Sequence, residues 1–330
     1  MPSASSKPRG VLHKSKMEIA VKKFSHESRQ GMKEFIAEVA SIGRLRHRNL
    51  VQLLGYCRCK GELLLVYDYM PNNSLDKYLY NQSTTPLDWS KRFQIIRGVA
   101  SGLLYLHKDW EQVVIHRVIL SQAIEMNPRL GDFGLARLYD HGADARTTHI
   151  VGTIGYQLAP ELGHTGRATP TTDVFAFGVF LLEVTSGRRP LEKDEQNKAL
   201  FGSVHAEHKR GELGKLRGEY LCCARGLVDA RLPDGFNPDE VALVLKLLCS
   251  HRLPNRRPTM RHVIHYLDGD RLLPDLSPLD FSFTMLELSQ QNVTLDILSL
   301  GIEEITDLGR VETKPVTKPL VLLVYLYIFL

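Results

Sequence analysis

The sequence has few cysteines and no long apolar segment, and each shortage limits what the chain can be. Only five of its 330 residues are cysteines. None of them shows the CxxC spacing of a zinc knuckle, so the composition excludes a disulfide-rich fold and favours free thiols in a reducing compartment. No run approaches the roughly 18 apolar residues that a membrane-spanning helix needs. The first ten residues are polar and lack the apolar core of a secretory signal, so we expect a cytoplasmic protein.

A strong charge imbalance is also missing. The 42 basic and 37 acidic residues leave a net charge of +5, which is too small and too dispersed to predict nucleic-acid binding. The composition is otherwise that of a globular protein long enough for two lobes. The most apolar segment, LVLLVYLYIFL at 320–330, is too short to cross a bilayer as a helix. It predicts a buried strand, a partner-binding tail, an aggregation-prone segment or weak contact with a membrane surface.

Apolar periodicity divides the chain into a strand-rich first part and a helical second part. The predicted elements are strand 16–24, helix 32–45, strands 50–57 and 62–69, and helices 90–107, 172–186, 238–249 and 260–268. This order predicts an α+β fold with a small lobe over 1–70 and a large helical lobe over 71–278. The pattern loosens over 279–330, which we expect to be a divergent, poorly structured or hydrophobic tail.

Short motifs in a fixed order indicate the family. They are Ala20-Val21-Lys22, Glu38, the segment 63–71, His116-Arg117, Gly131-Asp132-Phe133-Gly134, Ala159-Pro160-Glu161, the segment 173–178, and Arg257-Pro258. In this order they resemble the motifs of protein kinases. The stretches HRNLVQLLGYC, ELLLVYDYMPNNSLDKYLY, GDFGLARLYDHG and ATPTTDVFAFGVFLLEV are similar to the kinase domain of plant L-type lectin receptor-like serine/threonine kinases. The resemblance implies a bilobal protein-kinase-like fold with a truncated small lobe, and it extends to neither the lectin nor the transmembrane part of that family.

The resemblance implies a site for ATP and Mg²⁺ between the lobes. Lys22, paired with Glu38, is expected to grip the nucleotide phosphates, and Asp132 is expected to bind Mg²⁺. Tyr67 takes the gatekeeper position, and Asp68 to Met70 would offer backbone groups to adenine. The resemblance implies structural roles for His116, Arg117, Phe133, Gly134, Glu161, Asp173 and Arg257. It makes Thr147, Thr148 and Thr153 candidate phosphorylation sites.

Three departures from the family pattern weaken the catalytic expectation. The GxGxxG loop over the phosphates is missing, and Gly10-Val11-Leu12 matches the strand that follows such a loop. Val118 stands at the position of the catalytic aspartate, and valine cannot take the proton of a substrate hydroxyl. His116 lies 16 positions before Asp132, about four fewer than the HRDxxxxN pattern needs. Gln122 is then an ambiguous replacement for the metal-binding asparagine. These departures also weaken the expectation of ATP and Mg²⁺ binding.

Three functions stay open on the sequence alone. The leading hypothesis is a pseudokinase without an intact catalytic residue, which acts in signalling by binding or scaffolding other kinases or receptor cytoplasmic domains. The second is an active serine/threonine kinase with a low rate of ATP-dependent transfer. The third is a non-functional product of a decayed receptor gene. In each case we expect the cytoplasm as the location, with peripheral association at the plasma membrane as an alternative.

Overall fold

A computed structural model of the protein describes its residues in twelve ranges. They are 9–12, 16–24, 29–59, 62–71, 74–80, 85–117, 121–124, 127–143, 159–189, 228–232, 236–250 and 254–273. Several predicted features lie outside the described residues, namely Val118, Thr147, Thr148, Thr153 and the apolar segment 320–330.

The small lobe is an antiparallel sheet with one helix packed against it. Its elements are β1 (Arg9–Val11), β2 (Glu18–Phe24), α1 (Arg29–Ile42), β3 (Leu53–Cys59) and β4 (Glu62–Asp68), and the strand order is β1-β2-β4-β3. The alternating side chains of β2 bury Ala20 and Phe24. Helix α1 buries Phe35 and Ile42 at the helical spacing that predicted it, because these positions lie on one face. The predicted strands and helix are therefore present.

The large lobe is mostly helical. Its elements are α2 (Leu75–Tyr80), α3 (Trp89–Leu104) with a π-helical turn over Tyr105–Asp109, β5 (Val113–Ile115), β6 (Ser121–Ile124), β7 (Asn127–Leu130), β8 (Arg137–Tyr139), α4 (Pro160–Thr165), α5 (Pro170–Ser186), α6 (Pro238–Ser250), a 3-10 turn over Pro254–Arg256 and α7 (Met260–Asp268). Strand β5 pairs with β8, and β6 pairs with β7. Together with the small lobe, this gives the α+β arrangement that the sequence predicted.

Helix α5 is the centre of the large lobe. Its sequence is apolar almost all round, and nearly every side chain from Thr172 to Ser186 is buried, as expected for a helix enclosed by other elements. A capping box between Thr169 and Thr172 begins the helix. Gly187 ends it with φ of 63°, a left-handed conformation that glycine adopts without steric penalty. Across the described ranges, no helix has both the length and the apolar character that a membrane crossing requires.

Strand β7 joins the two lobes. The Leu130 N–H donates to the Asn49 carbonyl oxygen at 2.8 Å, and the Val51 N–H donates to the Leu130 carbonyl oxygen at 2.9 Å. On its other side β7 touches α3, where a Cβ atom at Gly98 would lie only 2.3 Å from Pro128 Cγ. Glycine at position 98 thus lets α3 approach the strand closely. The strand is held between a small-lobe loop and a large-lobe helix.

His47, in the loop between α1 and β3, makes contacts that require its neutral form. The ring of His47 stacks on that of Tyr105 with centroids 4.8 Å apart. Its Nδ1 accepts the Asn49 N–H at 3.1 Å, which a protonated Nδ1 cannot do. Burial, assisted by the nearby Arg48, lowers the pKa of His47, while Asp109 acts in the opposite direction.

We expect His47 to make the protein less stable on acidification. Because its pKa is lower in the folded chain, the unfolded chain takes up a proton first as the pH falls below about 6.5. The contribution is complete above that pH and is lost as the pH falls through the folded-state pKa, with a slope no steeper than about 1.4 kcal/mol per pH unit. Urea unfolding between pH 5 and 7.5 would show wild type and His47→Phe converging toward acidic pH. A difference that stays constant with pH would contradict this.

Candidate active site

Three charged side chains from separate elements meet between the lobes. Lys22 lies on β2, Glu38 on α1, and Asp132 in the loop after β7. The Lys22 Nζ is 3.0 Å from Glu38 Oε2 and 3.0 Å from Asp132 Oδ1. The Glu38 side chain is buried and that of Lys22 nearly so, whereas the Asp132 side chain is 34% exposed. The structure thus brings together three residues that the sequence predicted as one site, and leaves one carboxylate accessible.

The charges in this cluster keep the lysine protonated. Burial alone would lower the pKa of Lys22, but the carboxylates of Glu38 and Asp132 together raise it above its ordinary value. For Glu38 the balance is reversed, since burial raises the pKa of its carboxyl and Lys22 only partly opposes that. The result is a fixed ammonium group beside an accessible carboxylate. That pair suits a ligand with anionic oxygens and a bound cation.

The Tyr67 hydroxyl binds the second carboxylate oxygen of Glu38. It donates a hydrogen bond to Glu38 Oε1. Burial, together with the Glu38 charge, raises the pKa of Tyr67 well above its ordinary value, so the hydroxyl stays a donor. Both oxygens of Glu38 are therefore engaged, one by Lys22 and one by Tyr67. These two bonds hold helix α1 against the sheet.

The segment from Asp68 to Met70 links β4 to the large lobe. The Asp68 N–H donates to the Gln52 carbonyl oxygen at 3.2 Å, and the Tyr69 N–H donates to the Glu18 carbonyl oxygen at 3.3 Å. Two of the three N–H groups in this segment are thus used by the small lobe. The third N–H group of the segment belongs to Met70, a residue that the family resemblance predicts to contact adenine. The Asp68 side chain contacts Arg129 on β7.

The Asp132-Phe133-Gly134 turn is held by packing. Asp132 adopts φ of 60°, which is uncommon for a residue with a side chain. Phe133 is fully buried, and its ring meets the ring of His116 edge to face with centroids 4.6 Å apart. This contact anchors the turn from below, so the Asp132 carboxylate points back toward Lys22.

Asp173 on α5 organises the segment that begins at His116. It is fully buried, and its two oxygens accept the His116 N–H at 2.8 Å and the Arg117 N–H at 2.7 Å. His107 Nε2 lies 2.9 Å from Oδ2 of the same carboxylate. Arg117 has φ of 75°, a conformation that the bonds to Asp173 maintain. The backbone leaving His116-Arg117 therefore has a fixed direction.

A buried ion pair fixes helix α4. Arg257 contacts both oxygens of Glu161, with Nη2 3.0 Å from Oε2, and its Nη1 also donates to the Thr171 carbonyl oxygen at 3.0 Å. Its guanidinium lies 5.0 Å from the centre of the Phe175 ring, within the range of a cation–π contact. Two predicted structural residues, Glu161 and Arg257, are thus paired. Their contact ties the start of α4 to α5.

The chain between Arg117 and β6 is too short for the expected catalytic loop. Strand β6 begins at Ser121, so only residues 118–120 connect it to Arg117. An HRDxxxxN loop requires six residues after the arginine. Gln122 lies inside β6 opposite Arg129 and not in the connection where a metal-binding asparagine is expected. The role of Gln122 as a replacement for that asparagine stays an ambiguous prediction of the sequence.

Comparison with known proteins identifies relatives over most of the chain. The family model described as "Protein tyrosine and serine/threonine kinase" matches residues 6–213. The chain is 60% identical over 288 residues to the L-type lectin-domain containing receptor kinase SIT2 of Oryza sativa subsp. japonica, which covers 86% of this chain and 41% of the relative. It is 57% identical over 311 residues to the receptor kinase SIT1 of the same organism, and the alignment covers 92% of this chain and 44% of SIT1. It is 59% identical over 280 residues to the L-type lectin-domain containing receptor kinase IV.1 of Arabidopsis thaliana, and the alignment covers 83% of this chain and 40% of that relative. The chain spans about two fifths of the length of these relatives.

Proposed function

This chain belongs to the protein tyrosine and serine/threonine kinase family, with L-type lectin-domain containing receptor kinases as homologues, and we propose that it is a pseudokinase. In this proposal phosphoryl transfer is impaired, and the domain acts in signalling by binding partners. The observation that carries the proposal is the three-residue connection 118–120 between Arg117 and β6. It has no carboxylate at the catalytic position, because Val118 stands there, and it has no room for the loop that would hold substrate and metal.

Nucleotide binding is a separate part of the proposal. Lys22 and Asp132 would hold the phosphates and one Mg²⁺, with Glu38 orienting the lysine, and Met70 would meet adenine. The three charged residues already lie within hydrogen-bonding distance of one another, so the residues present fit this half of the site. Mg²⁺, when bound, neutralises phosphate charge. The asparagine side of the metal site has only Gln122 as an ambiguous counterpart, so we propose weak binding.

A low-rate kinase is the second candidate function. The intact contacts among Lys22, Glu38 and Asp132 favour it, because phosphoryl transfer depends largely on positioning and electrostatics. Loss of a catalytic base then reduces the rate by orders of magnitude without abolishing it. The two candidates differ in the size of the residual activity and in whether the biological role requires it.

The proposed partners are other kinases or receptor cytoplasmic domains, and the proposed location is the cytoplasm or the inner face of the plasma membrane. These follow from the homologous receptor kinases by analogy. We also propose that the lobes divide after position 70, where β4 leads into the Asp68–Met70 segment. Copurification with the cytoplasmic domain of a homologous receptor kinase, unchanged in an Asp132→Asn variant, would support a binding role that needs no catalysis.

We expect phosphoryl transfer by this chain to be at least about 100-fold slower than by the matching domain of a homologue such as SIT2. Autophosphorylation and transfer to a generic protein substrate from γ-labelled ATP with Mg²⁺ would measure the rate. An Asp132→Asn variant identifies contaminating kinases, since it should reduce only genuine transfer. A wild-type rate close to that of the homologue would refute the pseudokinase proposal, and residual transfer that Asp132→Asn removes would favour the low-rate kinase.

A further inference from the structure

An ion pair joins the end of β4 to the strand that precedes Asp132. Asp68 is the last residue of β4, and Arg129 lies on β7 three positions before Asp132. Arg129 Nη1 donates to Asp68 Oδ2 at 3.0 Å. The Arg129 side chain is 23% exposed and the Asp68 side chain 35% exposed. Over the ranges that the structure describes, the Arg129 Nε is buried without a hydrogen-bond partner, so the guanidinium is oriented by its terminal nitrogen. No motif of the sequence marks this pair.

The pair completes the attachment of β7 to the small lobe. Successive side chains of a strand point to opposite faces, so Leu130 enters the core while Arg129 points to the other side. The backbone of Leu130 is held by Asn49 and Val51. With Arg129 held by Asp68 as well, the strand is restrained on both faces. Both restraints oppose a rotation of β7 about its own axis, which would move Asp132, two residues after Leu130, relative to Lys22.

The same strand has a short attachment on its other side. Strand β6, its antiparallel partner, is joined to Arg117 by residues 118–120 alone. A longer loop there would carry its own contacts to the large lobe. The placement of β7 relative to the small lobe therefore depends on its bonds to Asp68 and Asn49, while Pro128 contacts α3 in the large lobe.

We propose that Asp68 and Arg129 are positioning residues, whose ion pair ties the Asp68–Met70 segment to β7 and so fixes Asp132 opposite Lys22. The adenine end and the metal end of the candidate nucleotide site then form one rigid unit. The identity of the ligand rests on the proposed function. The positioning itself does not, and it can be measured without nucleotide.

The test uses the chemical reactivity of Lys22 in the free protein. A small amine-reactive ester reaches the Lys22 amine only when the amine is released from its ion pairs, so the rate at Lys22 rises when Asp132 moves away. Rates are read site by site by mass spectrometry and expressed relative to Lys23, the exposed neighbour on the same strand. Asp132→Asn serves as the positive control. Arg97→Gln, which removes an ion pair with Asp268 in the large lobe, is the matched control.

We expect Arg129→Gln and Asp68→Asn to raise the relative rate at Lys22 by roughly threefold or more, within the range expected for loss of a partly exposed ion pair. Arg97→Gln should leave the rate unchanged. The exchanged pair, Asp68→Arg with Arg129→Asp, should restore the wild-type rate. Asp68→Asn is nearly isosteric and provides a second variant should Arg129→Gln fold poorly.

Each other outcome overturns the inference. If Asp132→Asn raises the Lys22 rate but neither pair variant does, the ion pair does not position Asp132. If Asp132→Asn has no effect, the Lys22–Asp132 contact is absent in solution. If a variant of the Asp68–Arg129 pair raises the reaction rates at Lys22 and at Lys91 on α3 equally, the variant has loosened the whole fold and has not acted on Asp132 specifically. None of these results depends on phosphoryl transfer, so failure here is distinguishable from failure of the pseudokinase proposal.

Discussion

Lengthening the connection after Arg117 is expected to raise phosphoryl transfer by roughly 100-fold or more, whereas Val118→Asp alone is expected to raise it by less than about threefold. The lengthened variant carries the insertion Asp-Val-Lys-Ala-Ser-Asn in place of Val118-Ile119, a net gain of four residues (6 − 2) that matches the shortfall counted from the sequence. It supplies a base, a lysine and a metal-binding amide together with the chain length that they need. Initial rates of autophosphorylation with ATP and Mg²⁺ would measure both effects.

The difference between the two variants follows from chain geometry. Four Cα steps separate Arg117 from Ser121, and at 3.8 Å each they span at most about 15 Å. The direction of the chain is fixed at Arg117 by Asp173, and at Ser121 by pairing with Leu130. Three residues lie between these two ends, whereas an HRDxxxxN pattern places six after the arginine, so the chain has too few residues for the loop that presents an aspartate to a substrate hydroxyl. A carboxylate at position 118 alone therefore lacks the correct location.

Two controls separate loop length from chemistry. The same insertion with Ala in place of its Asp restores length without the base and should give little gain. Asp132→Asn in the lengthened variant should remove the gain, because the metal ligand is lost. If Val118→Asp alone gave the full increase, loop length would not be limiting. If the lengthened variant gave none, other departures such as the missing glycine-rich loop would be limiting.

Asp173→Asn is expected to lower the free energy of unfolding by about 2–4 kcal/mol. Oδ1 of Asp173 accepts the Arg117 N–H and Oδ2 accepts the His116 N–H, so each oxygen faces a donor. An asparagine presents one oxygen and one NH₂ group, and the NH₂ must then face a buried N–H. Because Asp173 is fully buried, water cannot replace the lost bond. Urea unfolding followed by circular dichroism would measure the change.

Asp109→Asn is the matched control for that variant. Asp109 belongs to the same lobe and is about half exposed, and its Oδ1 lies 3.8 Å from Arg261 Nη2. We expect a change of less than about 0.5 kcal/mol. A loss at Asp173 no larger than at Asp109 would mean that the buried carboxylate is not the anchor of the His116-Arg117 segment.

The sequence predicted the elements better than the contacts between them. Strand β2 and helix α5 carry local signals, since alternation and a continuous apolar surface are visible in a short window. The approach of Lys22, Glu38 and Asp132 was predicted only through the family resemblance. The edge strand β1 is too short for periodicity to identify with assurance, although Gly10-Val11-Leu12 was matched to it.

Contacts between distant parts of the chain could not be predicted from the sequence. Arg129 and Asp68 are 61 positions apart, and each alone has the character of an ordinary surface charge. Asn49 gave no signal either, because its partners become apparent only when β7 is placed beside it. The shortening of the chain between His116 and Asp132 is visible from the residue count alone. The location of Gln122 inside β6 required the register of β6 on β7, which residue counting cannot supply.

The pairing of Asn49 with β7 has a consequence for the order in which the chain folds. The Asn49 amide donates to the Pro128 carbonyl oxygen at 2.8 Å, across 79 positions of sequence. At about 5–20 residues per second, a ribosome needs roughly 4–16 s to add that length of chain. For the last 58 residues of that interval (128 − 70), the small lobe is complete in sequence but lacks the strand that bonds to Asn49. We therefore expect the nascent small lobe to complete its folding only after β7 has been synthesised.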